Sequence, residues 1–390
     1  MSVYVALVAV LLITIVLNEV FRRLNLPQVV GQILGGLILG VPILKSAIFD
    51  AGSIDTVGFL ADIGIILLLL LVGLEIDIQK IKESSRDATL IAIFASITPI
   101  FLGFAFMRLL GYSIIASVIF GGALSVTAEG TTVKVLMDAG AVDTRLGALV
   151  VSAGTIDDIF EVTLLSLVTV VGVGGGYSQL IYLPVEFIVF VIAAYLGFRV
   201  MSWILGVIDG RGDVELFSVT LLFVLSLAAL STYLEIGSLI GAIVAGFILQ
   251  LSFKDHLSKK DGVLEIVKTL TLGFLVPFFF VNIGLNFDYS YIWGNLFLIV
   301  SATMIAIVGK IVGTMITGFF SDLGWKRLYV IGWGMNSRGA VELVVALIAL
   351  QKGLITENIY AALVVMAMIT TLVFPFILQR EIKNDPSVLE

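Results

Sequence analysis

The amino-acid sequence predicts an all-α polytopic membrane protein of about 13 transmembrane helices, built as an inverted repeat with two crossed, interrupted helices. Three observations lead to this fold class. Hydrophobic residues make up 59% of the 390-residue chain and charged residues only 13%, whereas soluble domains are about half apolar and about a quarter charged. Basic residues alternate between loops, and a sequence pattern recurs about 210 residues further along the chain.

Charged residues and turns rich in Gly or Pro divide the chain into apolar segments, each close to the roughly 20 residues that cross a bilayer. We number these segments as spans 1 to 13. They lie near residues 2–20, 28–44, 57–75, 88–108, 113–138, 146–172, 183–207, 214–232, 236–252, 262–284, 291–319, 327–350 and 356–379.

The distribution of Lys and Arg predicts the orientation of these spans. Of the 22 basic residues, seventeen fall in the odd-numbered loops and the C-terminal tail, three in the even loops, and two inside spans. Cytoplasmic loops carry the excess of basic residues in membrane proteins. The sequence therefore predicts the N-terminus outside and the C-terminus inside.

The internal repeat joins span 2 to span 9 and span 3 to span 10. "GQILGGLILG" (31–40) matches "GAIVAGFILQ" (241–250), and "VGLEID" (72–77) matches "IGLNFD" (283–288). Each span n thus pairs with span n+7, and an odd separation reverses the direction of the copy. Such inverted repeats are common in secondary transporters. The glycines of span 2 themselves are interpreted as close helix packing of the GxxxG kind.

These matches divide the chain, a single transporter domain over 1–390, into a first repeat (1–172), a linker span (183–207) and a second repeat (214–380). Span 5 contains "LSVTAEGTTVKV" and span 12 contains "GWGMNSRGAVEL", in which Thr127 and Arg338 are repeat mates. Backbone that leaves helical geometry at membrane depth must find partners in protein, water or ions. Spans 5 and 12 are therefore predicted to be interrupted and to cross, with opposed helix dipoles at one place.

Charged residues inside spans are costly and usually mark ion or proton pathways. Asp62 lies nearer a span edge, and those well inside the spans are Glu129, Asp157, Asp158, Glu161, Lys310, Arg338 and Glu342. Arg338 and Glu342 stand four residues apart on one helix and form either a structural ion pair or part of the pathway.

The adjacent pair Asp157 and Asp158 points to ion exchange. Neighbouring helical residues point about 100° apart, so the two carboxylates cannot share one close partner. One aspartate can pair with Lys310 while the other faces the interrupted helices, and such groups can exchange protons near neutral pH. A bound Na⁺ would take carboxylate oxygens, freed backbone carbonyls and the hydroxyls of Thr127, Thr131 and Thr132.

At these residues the chain resembles the second branch of the monovalent cation/proton antiporters, which includes bacterial sodium/proton antiporters and the membrane domain of potassium efflux antiporters. The matching stretches cover most of the length: "LPQVVGQILGGLILG", "LADIGIILLLLLVGLEID", "IDDIFEV", "GSLIGAIVAGFIL", "FLVPFFFVNIGLNFD", "AIVGKIVGT" and "GMNSRGAVELVVA". The resemblance implies exchange of Na⁺, and also Li⁺, for protons by alternating access, without a cofactor, in the cytoplasmic membrane of a prokaryote. It also implies a role in pH homeostasis.

The resemblance further implies a core bundle, 88–172 with 291–380, that moves against a dimerisation scaffold in a homodimer. It implies that Asp158 binds the cation or proton and that Asp157 pairs with Lys310, an arrangement that goes with electrogenic exchange. Two acids depart from the family pattern. Glu129 lies in the interruption of span 5 and Glu161 follows the aspartates by one turn; each could pair with a base, Lys134 or Arg338 for example, or add a proton or cation ligand.

Other functions are disfavoured or stay as alternatives. The chain has no Cys and one His, so a zinc site is not expected, and no basic patch favours nucleic acid. We expect no enzyme, because an intramembrane aspartyl protease needs carboxylates from separate helices; a channel would place Lys310 and Arg338 against cation flow. The alternatives are a K⁺/H⁺ antiporter of the efflux type and a sodium-coupled organic-anion symporter in which Arg338 clamps a carboxylate.

Overall fold

The computed structural model describes residues 3–24, 26–75, 85–171, 177–207, 213–234, 236–253, 257–288 and 290–389, and every regular element within these ranges is helical. The α-helices are α1 (Val3–Arg23), α2 (Gln28–Gly40), α3 (Pro42–Ile48), α4 (Ala51–Glu75), α5 (Arg86–Leu109), α6 (Ile114–Ala123), α7 (Glu129–Asp138), α8 (Arg145–Val171), α9 (Tyr177–Val207), α10 (Asp213–Tyr233), α11 (Ser238–Ser252), α12 (Leu257–Leu270), α13 (Val276–Leu285), α14 (Ser290–Gly294), α15 (Leu296–Ile316), α16 (Trp325–Gly334), α17 (Ala340–Gln351) and α18 (Glu357–Asn384). A π-helical turn (Thr271–Leu275) joins α12 to α13, and 3₁₀ turns follow α15 and α18. Residues 76 and 77, which end the matching stretch "VGLEID" (72–77), lie outside the described residues. So do the loop residues Lys80, Lys82, Arg211, Lys254 and His256.

The all-α polytopic prediction is confirmed, but the count of 13 transmembrane helices is not. Within the described ranges, eight helices are long and apolar enough to cross a membrane, or nine if α2 and α3, bent by 83°, form one span. The difference has physical reasons. Interruptions leave α6 and α17 with 10 and 12 residues, α11 has 15, and α8 carries Asp157, Asp158 and Glu161 within its apolar sequence.

One compact unit comprises residues 1–19, 31–76 and 169–287. In it, α2 packs on α13 and α11 packs on α4 through glycines. A Cβ atom on Gly36 or Gly73 would lie 2.2 Å from a carbonyl oxygen of the facing helix, and on Gly246 or Gly284 the distances would be 2.3 and 2.4 Å. Gly36 matches Gly246 in the repeat and Gly73 matches Gly284. The two crossings are therefore equivalent, and the interpretation of the span 2 glycines as packing residues is confirmed.

The second compact unit comprises residues 20–30, 77–168 and 288–390. Here α15 packs along α5 because two of its residues are glycines: a Cβ on Gly313 would lie 2.2 Å from Phe94 O, and one on Gly309 would lie 2.9 Å from Pro99 Cα. Lys310 follows Gly309 directly and is fully buried. The glycines thus bring the only basic residue of α15 against α5. That residues 88–172 and 291–380 form a moving core stays a prediction.

Candidate functional site

Two interrupted helices meet in the second unit. The chain leaves helical geometry between α6 and α7, at 124–128, and between α16 and α17, at 335–339. The two breaks are 211 residues apart, and they contact each other: Ala128 N donates to Ser337 O at 3.1 Å, and Ser337 Oγ donates to Ala128 O at 2.8 Å. The predicted pair of crossed, interrupted helices is confirmed. Each break supplies hydrogen-bond partners to the backbone groups that the other leaves without helical partners.

The threonines proposed as cation ligands lie at this crossing. Thr132 Oγ1 is 2.8 Å from Gly334 O and 2.6 Å from Ser337 Oγ, and Thr127 Oγ1 donates to Met335 O at 3.3 Å. These hydroxyls therefore connect the two broken segments. Thr131 is partly exposed, and its N–H donates to Ala128 O at 3.2 Å.

A buried ion pair lies beside the crossing. Lys310 Nζ is 3.0 Å from Asp157 Oδ2, and both side chains are at most 1% exposed. Lys310 Nζ also donates to Thr127 Oγ1 at 2.6 Å. Ser96 of α5 contributes a hydroxyl that hydrogen-bonds to Asp157 Oδ1. The structure thus brings together the lysine and the aspartate that the resemblance paired, and it surrounds them with neutral hydroxyls.

Two groups of the site were not predicted from the sequence: the Ser96 hydroxyl and the Val126 carbonyl. Ser96 hydrogen-bonds to Asp157 and to Ala92 O at 2.8 Å, yet in the sequence it is a single small polar residue in an apolar span. The only sequence signal for Ser96 was its place in the span that packs against the span carrying Lys310. The Val126 carbonyl, which accepts from Arg338 Nη1, leaves no trace in the sequence because it acts through its backbone.

Glu161 also joins the crossing. It is 5% exposed, and its Oε1 accepts a hydrogen bond from Thr127 N at 2.7 Å. It interacts electrostatically with Asp157, Lys310 and Glu342. Within the part of the chain that the structure describes, no basic side chain forms an ion pair with it. Glu161 is therefore an acid held by a neutral donor at the helix break.

Arg338 and Glu342 form a second, looser pair. Arg338 Nε lies 3.9 Å from Glu342 Oε2, and both side chains are fully buried. Among the described residues, neither oxygen of Glu342 has a hydrogen-bond partner. Since Arg338 Nη1 reaches Val126 O across the crossing, this pair ties α17 to the break after α6.

Glu129 occupies the first turn of α7 and faces α8. Its Oε1 lies 3.3 Å from Thr155 Oγ1, and its Cγ would be 3.0 Å from a Cβ on Gly154. Asp158 is on α8, one turn after Gly154. Glu129 and Asp158 are both partly exposed.

Among the described residues, the buried acids at this crossing outnumber the buried bases. The buried ionisable residues include three acids and two bases: Asp157, Glu161, Glu342, Lys310 and Arg338. An unbalanced buried charge is strongly unfavourable, so the cluster favours holding a proton or a cation. No group of three or more acidic or histidine side chains suited to a resident metal ion occurs in the described ranges.

Comparisons with known proteins agree with this geometry. The family described as sodium/hydrogen exchanger, transmembrane, matches residues 7–382. The chain is 27% identical over 375 residues to a Na⁺/H⁺ antiporter of Enterococcus hirae, covering 95% of each sequence. It is 30% identical over 402 residues to the high-affinity Na⁺/H⁺ antiporter NhaS3 of Synechocystis, covering 92% of this chain and 85% of the relative. The solved structure of the sodium proton antiporter MjNhaP1 from Methanocaldococcus jannaschii superposes with a TM-score of 0.72 at 18% identity, over 96% of this chain and 95% of that one.

Proposed function

The chain belongs to the sodium/hydrogen exchanger family, and from this premise we propose that it exchanges a monovalent cation, Na⁺ or Li⁺, for protons across the cytoplasmic membrane by alternating access. Two curated relatives that are similar over most of their length are named Na⁺/H⁺ antiporters. The chain is then a transporter and not an enzyme. Na⁺ and protons are its substrates, and no cofactor is required.

The observation that carries this proposal is the buried Lys310–Asp157 pair, 3.0 Å long, next to a second aspartate. We assign Asp158 as the group that carries the cation or the proton. Its partial exposure supports this role, because a substrate ion has to arrive from water. Asp157 is the second carboxylate of the cation site, and Lys310 neutralises it while the cation is absent.

Exchange follows from competition for these carboxylates. When a cation binds at Asp158, with Asp157 as the neighbouring carboxylate, its positive charge replaces that of the proton on Asp158 and that of Lys310 beside Asp157. Asp158 then releases its proton, and Lys310, left buried without its partner, favours its neutral form. Reprotonation restores the Lys310–Asp157 pair and expels the cation. Two protons per Na⁺ make the cycle electrogenic, and a reversal potential that fits one-for-one exchange would count against this stoichiometry.

The test uses purified protein in proteoliposomes with an imposed pH gradient. We expect Na⁺ or Li⁺ to dissipate the gradient with wild-type protein and to do nothing with Asp158→Asn, which keeps the shape of the side chain. Dissipation by K⁺ in place of Na⁺ would favour the K⁺/H⁺ antiporter. Na⁺ uptake that requires an added organic anion would favour the symporter.

The assembly and placement of the chain complete the proposal. We infer a homodimer in the cytoplasmic membrane of a prokaryote, with the N-terminus outside and the C-terminus inside. The orientation is supported by the excess of Lys and Arg in alternate loops. The dimer is supported by the family resemblance alone, and cross-linking of single cysteines in this cysteine-free chain tests it.

A further inference from the structure

Glu129 departs from the family pattern, and the structure gives its side chain a specific position. It stands in the first turn of α7, directly after the break. A Cβ atom at Gly154 would lie 3.0 Å from Glu129 Cγ and 3.2 Å from Cδ. The absence of a side chain at Gly154 therefore lets the Glu129 carboxylate lie against α8.

This position places Glu129 close to Asp158. Asp158 follows Gly154 by four residues, which is about 6 Å along the helix axis and on the same face. Helical Cα–Cβ bonds tilt toward the N-terminus, so the Asp158 side chain leans back toward the turn that Glu129 covers. Thr155 follows Gly154 directly on the same helix, and its hydroxyl is 3.3 Å from Glu129 Oε1.

Exposure separates this pair of acids from the others. Glu129 and Asp158 are partly exposed, whereas Asp157 and Glu161 are only 1% and 5% exposed. Of these four acids, Glu129 and Asp158 are therefore the more accessible to an arriving ion.

We propose that Glu129 supplies a further, partly exposed carboxylate for the transported cation, in addition to Asp158 and Asp157, and that the missing side chain at Gly154 makes room for it. The inference rests on the proposed function. It makes Glu129 a determinant of apparent cation affinity, since oxygen ligands and negative charge next to interrupted helices are what bound cations use.

A purely structural role for Glu129 is also physically reasonable, because an acid in the first turn stabilises a helix through its dipole. Glu129→Asp separates the two roles. The shorter side chain keeps the charge in the first turn of α7 but withdraws the carboxylate from α8. Gly154→Val separates them differently, since it keeps the glutamate in the first turn of α7 but fills the space beside α8 against which its carboxylate lies.

The experiment measures KM and maximal rate for Na⁺ in proteoliposomes for Glu129→Asp, Glu129→Gln and Gly154→Val. Gly130→Val is the matched control, because nothing lies within 4 Å of a Cβ at Gly130. We expect KM for Na⁺ to rise about tenfold in the first three variants, with little change in maximal rate, and by less than about twofold in the control.

A wild-type KM in Glu129→Asp would overturn the proposal and leave Glu129 as a helix-stabilising charge. If Gly154→Val fails to fold, Glu129→Asp alone decides. If the wild type itself shows no cation-driven proton movement, the proposed function falls. That result is distinct from exchange that persists unchanged in Glu129→Asp.

Discussion

Lys310 and Asp157 are each other's charge partners in a region that water does not reach. Both are at most 1% exposed, with Nζ 3.0 Å from Oδ2. Removing one member leaves the other charge buried and unpaired, which costs far more than the pair itself contributes. The pair therefore stabilises the fold, and in the proposed cycle it also comes apart when the cation binds.

We predict that Lys310→Met lowers the free energy of unfolding by about 3–5 kcal/mol and that Lys310→Met combined with Asp157→Asn recovers most of this loss. The double variant has no buried charge at either position, and Asn can still hydrogen-bond to Ser96. Thermal unfolding of the two single variants and the double variant in detergent gives the coupling energy. Losses that simply add in the double variant would contradict the pairing seen here.

The sequence identified several site residues but not their contacts. The register of Asp157 and Asp158 predicted that they serve separate purposes, and the structure indeed gives Lys310 to Asp157. The sequence did not predict that Glu161 accepts a hydrogen bond from Thr127 N. A backbone N–H donor at a helix break does not depend on the type of residue that carries it. The sequence offered Lys134 or Arg338 as partners for either of the two extra acids, and the contact of Glu129 with Thr155 beside Gly154 follows only from the way α7 packs on α8.

At the scale of elements, the interruptions were the most predictable feature. Ser, Thr and Gly cluster in the middle of two spans whose positions are repeat mates, and the breaks occur at 124–128 and 335–339. Such residues weaken a helix because their side chains compete for backbone groups or leave the backbone free. The bend between α2 and α3 was not predicted, although Pro42 at the start of α3 is typical of a new helix.

The C-terminal 3₁₀ turn, Pro386–Leu389, is held against α16. Lys326 Nζ lies 2.9 Å from Asp385 Oδ2, and Arg327 Nε donates to Val388 O at 2.9 Å. Hydrogen bonds from Ser387 and from Lys326 lower the pKa of Asp385 from 3.8 to about 2. Because the folded pKa lies below the unfolded value, this contribution is present above about pH 4 and is lost as the pH falls through about 2.

We predict that acid releases this turn while the helices persist. In the cysteine-free chain, a spin label at Leu389→Cys reports its mobility. We expect an immobilised label at neutral pH, increasing mobility as the pH falls from about 4 to about 2, and a mobile label at every pH in Asp385→Asn. Equal mobility with and without Asp385 would show that the turn is held by other contacts.

At the scale of the whole molecule, the repeat was predicted, whereas the predicted count of 13 spans is not confirmed. Gly36 and Gly246 stand out in the sequence because close packing constrains residue type at both places. The number of membrane crossings depends instead on helix length and continuity, which interruptions, a bend and three acids in α8 disturb. A hydropathy pattern records apolar segments, whereas a crossing requires a continuous helix or two broken halves that complete each other.

The equivalent crossings yield a prediction that concerns both repeats together. A Cβ at Gly36 or Gly246 would lie 2.2 or 2.3 Å from a backbone carbonyl oxygen of the facing helix, while nothing lies within 4 Å of one at Gly58. Backbone cannot yield as a side chain does, so Gly36→Ala and Gly246→Ala must push the helices apart. We expect each to cost about 1–3 kcal/mol of stability. Gly58→Ala should be neutral or stabilising, because Ala favours helix.

Thermal unfolding of the three variants in detergent tests this symmetry. If α2 on α13 and α11 on α4 are the same crossing used twice, Gly36→Ala and Gly246→Ala lose stability by similar amounts. A loss at only one of them would mean that the two repeats no longer share their packing. Gly73 and Gly284 lie on the facing helices of these crossings and have their own short distances to backbone, so alanine at either should reproduce the loss of its partner. The repeat then constrains residue type on both sides of each crossing, which is why four glycines recur in two pairs at nearly the same offset, 210 and 211 residues.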